Sequence, residues 1–448
     1  MRRWQWLLTP LVACGLAGGF TRAGDWPQFR GTGATGVVAK ADFPLTWDND
    51  TNVAWKTAVP GSGWAQPVVV GDKVFIATAI GDKLGKPKNF TGGVMDPRSR
   101  GSSRTEGPDI TLRWEVVCLD RATGKILWQK LAAEGKPKYA IHQSNSWATE
   151  TPVADSQKVI ALFGATGTLV AFDHAGNELW KKELGPKPFT NGFGTGSSPA
   201  ISGDRVVVQS SSEDGGALIC LETATGKEAW KVEIAKGSAW STPVIRKSGD
   251  GMEVVCCGRG FVGAFDLANG KEMWKIAELA GSFSSSPTAD DSAVYFGNSG
   301  PGMSGPLVAV PAEARGALTI PKEGKAAGFA WVKFKGGPGM PSPLVYEGHI
   351  YTIASGLLAC TDAKTGEERY KERLPGMKGI SASPLGAQGR VWILDEAGRT
   401  VAVKTGPKFE VAEKNELAAK GEVFWSGAAS TGNELFIRGT EFLYCIRK

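Results

Sequence analysis

Two adjacent cysteines, Cys256 and Cys257, are the residues whose types and spacing most strongly suggest chemistry. A vicinal pair can act as a redox device, but a disulfide between neighbouring residues is strained and needs a special turn. The surrounding sequence, "VVCCGRG", is typical of a β-strand, in which successive side chains point to opposite faces. We therefore predict that one thiol lies in a sheet core and the other against the neighbouring sheet, without a disulfide.

The other residues that could bind a metal or carry catalysis are scattered. The chain has only three histidines, His142, His174 and His349, and they do not cluster in the sequence. It contains no Asp/Asn-rich calcium loop and no recognisable nucleophile with a base. We therefore predict no catalytic residues and no metal site.

These residues lie in a chain built from a repeated sequence unit, and the fold of that unit must determine their positions. Each unit has a Ser/Thr-Pro start, β-branched strands, an Asp-containing turn and a closing Trp, most clearly in 197–230 and 241–274. From Pro152 onward, the starting prolines are 47, 44, 44, 56 and 41 residues apart, which is typical of propeller blades. The starting prolines are Pro67, Pro152, Pro199, Pro243, Pro287, Pro343 and Pro384.

The last unit, 424–448, lacks both the proline and a closing Trp strand, whereas 52–61 contains a closing strand without a unit of its own. We therefore predict an all-β, eight-bladed β-propeller of four-stranded blades, in which the Trp55 strand completes the last blade. Such closure removes sheet edges that would otherwise pair with other chains.

The recurring carboxylates and most cysteines have structural explanations within the repeat. Turns such as "LDRATGKILW" place an acid at the turn start and a glycine where a positive φ is needed. The acids are Asp120, Glu222, Asp266 and Asp362, and the glycines are Gly124, Gly226, Gly270 and Gly366. Cys118, Cys220, Cys360 and Cys445 share one repeat position, which Ala264 occupies in another blade. This pattern predicts a small apolar slot rather than disulfides.

The N-terminus predicts export. Arg2 and Arg3 precede an apolar stretch, and Thr21-Arg22-Ala23 is a small-residue cleavage site, so residues 1–23 are predicted to be a signal peptide and 24–448 the propeller domain. In the alternative interpretation, Leu11-Val12-Ala13-Cys14-Gly15 is a lipobox and Cys14 carries a lipid anchor. No later apolar run is long enough for a transmembrane span.

The charge of the chain disfavours nucleic acid as a partner. Residues 1–23 contain three arginines and no acidic residue, so their removal lowers the formal charge from +6 to +3. The most basic stretch, 81–113, has seven Lys/Arg and four Asp/Glu and is predicted to be a solvated loop inserted in the first blade. The fifth unit carries a second insertion.

Two sets of residues around the predicted ring are candidates for function. Hydroxyl residues directly precede the prolines, and Gln66 and Gly427 depart from this pattern; we expect the hydroxyls to satisfy backbone groups in a crowded channel. The hydroxyl residues are Thr151, Ser198, Thr242, Ser286, Ser342 and Ser383.

The second set could contact a ligand or partner, because large amphipathic side chains give contact area at low entropic cost. Its members either lie shortly before the blade starts or depart from the repeat, and the alternative explanation is packing between blades or local salt bridges. They are Trp64, Trp147, Glu150, Trp240, Arg259, Met340 and Trp425.

The D-x-x-T-G-x-x-x-W turns, the Ser/Thr-Pro starts and the count of eight units resemble the PQQ-type propeller repeat. The segments "DWPQFRG", "HQSNSWATETPV" and "GGPGMPSPLVY" look most like BamB-like exported bacterial propellers. The resemblance implies a superfamily that includes quinoprotein alcohol dehydrogenases and an envelope scaffold lipoprotein. It also implies, for the enzymes, PQQ at the ring centre with calcium, a base carboxylate and often a vicinal disulfide. Of these, only the cysteine pair has a counterpart here.

We therefore predict a non-catalytic binding or scaffold protein of the bacterial cell envelope, located in the periplasm or anchored to a membrane. Its partner would be an envelope protein or peptide, and we expect no cofactor. The alternative is a quinoprotein-like oxidoreductase, dependent on PQQ and calcium, or a small-ligand binder that uses the central channel.

Overall fold

The structure is a computed structural model that describes residues 24–82, 84–85, 87, 106–300, 303–321, 326–417 and 421–448. The predicted signal peptide, Cys14 and much of the 81–113 insertion lie outside the described residues. Within the described ranges, no helix is both long enough and apolar enough to span a membrane.

Eight sheets, each built on four antiparallel strands, form the blades of an all-β propeller, which confirms the predicted fold. The N-terminal strand is β1 (Val53–Ala58). Blade 1 contains β2 (Val68–Val70), β3 (Lys73–Ile80), β4 (Leu112–Asp120) and β5 (Ile126–Gly135). Blade 2 contains β6 (Val153–Ala154), β7 (Lys158–Phe163), β8 (Thr168–Asp173) and β9 (Glu178–Glu183). Blade 3 contains β10 (Ala200–Ser202), β11 (Arg205–Ser212), β12 (Gly215–Glu222) and β13 (Glu228–Ile234). Blade 4 contains β14 (Val244–Ser248), β15 (Gly251–Gly258), β16 (Phe261–Asp266) and β17 (Glu272–Ile276).

The second half of the ring follows the same order. Blade 5 contains β18 (Thr288–Ala289), β19 (Ala293–Gly300), β20 (Met303–Pro311) and β22 (Trp331–Lys333), and β21 (Gly316–Leu318) lies in its insertion. Blade 6 contains β23 (Leu344–Tyr346), β24 (His349–Ala354), β25 (Leu357–Asp362) and β26 (Glu368–Arg373). Blade 7 contains β27 (Leu385–Ala387), β28 (Arg390–Leu394), β29 (Arg399–Lys404) and β30 (Val411–Glu416). Blade 8 contains β31 (Ala429–Ser430), β32 (Leu435–Arg438) and β33 (Phe442–Ile446). In the described chain, a short 3-10 helix at Thr32–Ala34 precedes β1, and another at Thr190–Gly192 lies between β9 and β10.

The N-terminal strand closes the ring, as the sequence predicts. β1 pairs antiparallel with β33 and becomes the outer strand of blade 8, with Trp55 opposite Cys445. An N-terminal and a C-terminal strand are thereby joined in one sheet, which closes the ring at its seam.

Blade 4 differs from the four-stranded prediction. The insertion of the fifth unit supplies β21, which pairs in parallel with β17 and places Trp274 opposite Gly316. Among the described residues, blade 4 is therefore a five-stranded sheet whose outer edge is covered by the chain itself.

The turns and closing tryptophans connect neighbouring blades. Gly124 has a φ of 71° and donates its N–H to the Asp120 carbonyl at 2.8 Å, which is the predicted tight turn. The Trp55 indole covers this glycine, where a Cβ atom would lie 2.5 Å from the ring, and its Nε1 donates to the Arg121 carbonyl at 2.9 Å. Trp180 makes the same contact with the Thr223 carbonyl of the following blade at 2.9 Å.

The cysteine slots are also confirmed. Cys118 and Cys220 lie opposite Trp128 and Trp230 in adjacent strands, just as Ala264 lies opposite Trp274. The six cysteines of the described chain are buried and free. Burial raises the pKa of Cys118, Cys220 and Cys445 to about 12, so these thiols are inert apolar side chains at neutral pH.

Candidate functional site

The N-terminal segment, residues 24–38, crosses the ring at one end of its central channel. Trp26 forms a β-bridge with Val69 of blade 1, the Pro27 carbonyl accepts the N–H of Ala154 in blade 2, and Gln28 accepts the N–H of Ile201 in blade 3. Farther along, Val38 donates its N–H to Gly386 of blade 7 at 2.8 Å. This segment, which we call the plug, therefore satisfies inner-strand backbone groups around the ring.

Arg30 of the plug lies on the ring axis. Its backbone N–H donates to Gln66 Oε1 of blade 1 at 2.7 Å, whereas its guanidinium donates to the Pro343 carbonyl of blade 6 at 2.6 Å and approaches Thr288 Oγ1 of blade 5 at 3.5 Å. Blades 1 and 5 lie opposite each other in an eight-membered ring, so one residue spans it. Arg30 is 2% exposed, and burial lowers the pKa of its guanidinium.

The predicted hydroxyl ring is confirmed as a relay between blades. In six consecutive links, the backbone N–H of one residue donates to the hydroxyl oxygen of its counterpart in the following blade, at 2.8–3.0 Å. The links run from Gln66 through Thr151, Ser198, Thr242, Ser286 and Ser342 to Ser383. These side chains satisfy backbone groups that the crowded channel removes from water.

Gln66 connects the relay across the seam of the ring. Blade 8 has Gly427 at the relay position, and this residue has no side chain to accept a hydrogen bond. The Gln66 side chain fills the place, since a Cβ atom on Gly427 would lie 2.9 Å from its Nε2, and it donates to the Ala428 carbonyl at 2.8 Å. The two departures from the repeat are therefore complementary.

All seven candidate residues lie at the opposite end of the channel, which we call the mouth face because it carries the connections from each outer strand to the next inner strand. Trp64 and Trp425 are in contact there, with ring centroids 5.4 Å apart. Trp64 is buried and its indole donates to the Ser144 carbonyl at 2.7 Å, whereas Trp425 is half-buried.

Trp147 and Trp240 lie in two connections of the mouth face, between blades 1 and 2 and between blades 3 and 4. Trp147 has a φ of 63°, a left-handed conformation that costs energy for a bulky residue, and its carbonyl accepts the Trp114 indole at 2.9 Å. Trp240 is half-buried, packs against Phe189 and Phe193, and donates its indole N–H to the Gly194 carbonyl at 2.8 Å. The two phenylalanines were not predicted, because they lie outside the repeated positions.

Glu150 is a buried carboxyl group beneath the mouth face. Its side chain is 1% exposed and approaches Gly164 and Thr195, and neither carboxyl oxygen forms a well-aligned hydrogen bond within the described chain. Burial raises the pKa of Glu150, and the nearby Thr195 hydroxyl only partly opposes this rise. The surroundings therefore favour the neutral acid.

Arg259 and Met340 lie elsewhere on the mouth face. The Arg259 side chain is 52% exposed, packs over Gly237 and forms an ion pair with Glu213 at 3.7 Å. Met340 is half-buried in the connection between blades 5 and 6. The fold therefore brings Trp64 and Trp425 together but leaves Arg259 in a separate, local contact.

The vicinal cysteines do not face the channel as a pair. Cys256 belongs to the core that contains Val207, Cys220 and Trp230 of blade 3, whereas Cys257 belongs to the core that contains Val294 of blade 5. Both are free and fully buried in β15, and burial raises the pKa of Cys256 to about 12. The prediction of one thiol on each side of the strand is confirmed. The pair does not fit the position over a central cofactor that the resemblance implies.

Arg438 is a second buried arginine that sequence reasoning missed. It is 1% exposed on β32 of blade 8 and donates to the Ala65 and Ala77 carbonyls of blade 1 at 3.0 and 2.9 Å. Its sequence signal is a basic residue at the end of an otherwise apolar strand, "LFIR". Like Arg30, it is a buried arginine whose guanidinium binds backbone carbonyls, but its partners lie across the seam between blades 8 and 1.

The sequence matches a known protein family over most of its length. The profile of the family described as outer membrane protein assembly factor BamB matches residues 110–312 and 259–441, more than half of the chain. A search of curated proteins gave no match.

Within the described part of the chain, no group of three or more His, Cys, Asp and Glu side chains is arranged to hold a metal ion.

Solved structures share the fold at low identity. BamB from Moraxella catarrhalis has a TM-score of 0.57 and 13% identity, over 88% of this chain and 99% of that chain. A europium-containing methanol dehydrogenase has a TM-score of 0.59 and 11% identity, over 93% and 89%. Quinohemoprotein alcohol dehydrogenase from Comamonas testosteroni has a TM-score of 0.57 and 12% identity, over 95% and 80%. At these identities the likeness concerns the fold alone.

Proposed function

Because the chain belongs to the family described as outer membrane protein assembly factor BamB, we propose that it is a non-catalytic scaffold that binds protein partners in the bacterial cell envelope. The proposal rests on the observation that the polar groups around the ring axis already form hydrogen bonds within the fold. The relay hydroxyls accept backbone N–H groups, and Arg30 binds backbone carbonyls and Gln66 in the middle of the ring.

A prosthetic group at the ring centre would need those same polar groups. Displacing Arg30 would leave the Pro343 carbonyl without its 2.6 Å donor, and each relay hydroxyl oxygen already accepts a backbone N–H from the neighbouring blade. The cysteine pair, divided between two cores, offers no cofactor contact either. These residues therefore do not fit a PQQ site at the axis, which supports binding at the surface.

The mouth face is the surface that we assign to the partner. The plug closes the other end, whereas the mouth face presents half-buried Trp240, Met340 and Trp425 and the exposed Arg259. Aromatic and arginine side chains are enriched among residues that dominate protein interfaces. An envelope location agrees with the predicted signal peptide, or with the lipid anchor at Cys14. Mass spectrometry of the mature N-terminus separates these two.

Photo-crosslinking in living bacteria tests the scaffold function. A photoreactive amino acid is introduced at Met340 on the mouth face and, as a matched control, at the exposed Lys364 in the turn after β25 on the opposite face. The proposal predicts protein adducts from position 340 and none from position 364. Adducts from position 364 alone would contradict the assigned face.

Calorimetric titration of the purified protein with PQQ, with and without calcium, tests the alternative function as an oxidoreductase or small-ligand binder. The scaffold proposal predicts no heat of binding and no shift in melting temperature. Tight binding of PQQ together with oxidation of an alcohol would overturn it and would make the buried Glu150 carboxyl the first residue to substitute.

A further inference from the structure

The outer strand of each blade leaves one sheet edge free unless another strand covers it. Among the described residues, only blade 4 has its outer edge covered, by β21. A free edge presents unpaired backbone N–H and C=O groups and can pair with a strand of another molecule. Charged side chains on the edge commonly prevent this.

Most outer strands carry such a charge next to the residue that packs between blades. The position directly after the Trp or Tyr is lysine in five blades: Lys56, Lys181, Lys231, Lys275 and Lys371. If two copies paired antiparallel about this position, lysine would lie opposite lysine, and like charges directly opposite destabilise a sheet. Blade 1 has the uncharged Gln129 at this position instead.

Two exposed leucines are placed symmetrically about Gln129, although Lys130 directly follows it. Leu127 and Leu131 flank it at equal distances along β5, point to the same face of the strand and are each 47% exposed. In the segment "LWQKL", a leucine therefore lies two positions from Gln129 on each side. With ten residues, β5 is also the longest outer strand of the described chain.

We propose that β5 is the interface for a second copy of this chain, paired antiparallel about Gln129. In this register, Leu127 of one copy lies opposite Leu131 of the other, and the same contact recurs across the two-fold axis. Such an isologous arrangement uses one patch twice and produces a closed dimer rather than a filament. It buries two pairs of leucines that are each 47% exposed in the single chain.

The other free edges do not support the same pairing. In blade 2, self-pairing about Lys181 would oppose that lysine to itself and Leu179 to Glu183. In blade 6, it would bring together Arg369, Lys371 and Arg373 of both copies. Blade 5 has an exposed Phe334, but its outer strand β22 has only three residues.

The local geometry of β5 is compatible with an added strand. The register with β4 shifts at Leu127, as it does before the closing Trp of blades 2, 3 and 4, and again at Ala132. The regular part is therefore Trp128–Leu131, and Leu127 lies next to it. The Gln129 side chain donates to Glu115, which also pairs with Arg113 at 3.0 Å, so Gln129 is held by its own sheet. The described end of the 81–113 insertion meets the chain at Tyr139, beyond β5.

Sedimentation velocity of the protein, as processed by an expressing bacterium, tests the proposal across a concentration series. The wild type is expected to show a concentration-dependent dimer. The double variants L127E/L131E and L127K/L131K place like charges opposite each other and are expected to raise the dissociation constant about tenfold or more. A mixture of the two is expected to restore the dimer at low salt, because each Glu then faces a Lys of the other copy.

Leu179 provides the matched control, since it has the same 47% exposure on the outer strand of blade 2. The L179E variant is expected to dimerise like the wild type, and unchanged melting temperatures show that the variants fold. A wild type that stays monomeric up to its solubility limit overturns the proposal. A dimer that persists in both double variants, or that L179E also abolishes, overturns it as well.

Discussion

The guanidinium of Arg30 donates to the carbonyl oxygen of Pro343 across 2.6 Å, although 313 positions separate the two residues in the chain. This contact fixes the plug to blade 6, while the Arg30 N–H fixes it to Gln66 of blade 1 at 2.7 Å. A segment outside the repeat thus connects opposite sides of the ring and satisfies polar groups on the axis.

Replacing Arg30 by methionine should destabilise the protein. The R30M variant keeps much of the side-chain volume but leaves buried carbonyl groups without donors, so the free energy of unfolding should fall by about 2–4 kcal/mol. Urea denaturation measures this change. The K40A variant alters an exposed residue just beyond the plug and should change the free energy by less than about 0.5 kcal/mol. Equal effects would show that Arg30 has no special role.

Replacing Glu150 by glutamine should change how stability depends on pH. Burial raises the pKa of Glu150 in the folded state, so the folded protein holds this proton at pH values where the unfolded chain has lost it. The wild-type contribution is fully present below the unfolded pKa and is lost as pH rises through the folded pKa. The E150Q variant should therefore exceed the wild type in stability at neutral pH, and the difference should vanish in acid. Melting temperatures across a pH series test this, and a constant difference would contradict it.

Replacing Gly124 by alanine should destabilise the seam of the ring more than the matched G71A substitution. Both glycines have positive φ, 71° and 59°, and each substitution costs about 1–2 kcal/mol for this conformation. A Cβ atom at Gly124 would also lie 2.5 Å from the Trp55 ring, whereas one at Gly71 meets no atom within 4 Å. The additional loss for G124A should be about 1–3 kcal/mol. Chemical denaturation compares the two, and equal losses would argue against the Trp55 contact.

Alkylation should not reach the cysteines of the folded propeller. Cys256 and Cys257 are buried and free, and burial raises the pKa of both thiols, so the reactive thiolate is scarce at neutral pH. Mass spectrometry after iodoacetamide treatment should find them unmodified in the native protein and modified in denaturing urea. Reducing agent should leave the melting temperature unchanged. A mass two units lower before reduction, or rapid native alkylation, would contradict this prediction.

The repeated features of the molecule could be predicted from the sequence because each one has a local cause. The Asp120 turn needs its glycine for a positive φ, and the cysteine slots recur because each faces a bulky ring across one strand pair. The relay hydroxyls were predicted from their place before each proline. In all of these cases, the residue and its explanation lie within one blade or two adjacent ones.

The parts that departed from prediction depend on contacts between distant segments. No local pattern shows that β21 will leave its own blade and cover β17 of blade 4. The surroundings of Glu150 could not be predicted either, because Gly164 approaches it from the β7–β8 hairpin and Thr195 from the connection between blades 2 and 3. Whether the candidate residues of the mouth face bind a partner remains a prediction.

The sequence by itself determined the number of blades, their turns and the closure by the Trp55 strand, because hydrophobic periodicity and turn chemistry act over a few residues and recur in every unit. Only the tertiary structure decided that Arg30 lies on the axis and that Gln66 compensates for Gly427. It also decided that Cys256 and Cys257 belong to different cores. Those outcomes follow from closing the ring, which brings residues far apart in sequence within hydrogen-bonding distance and removes their polar groups from water.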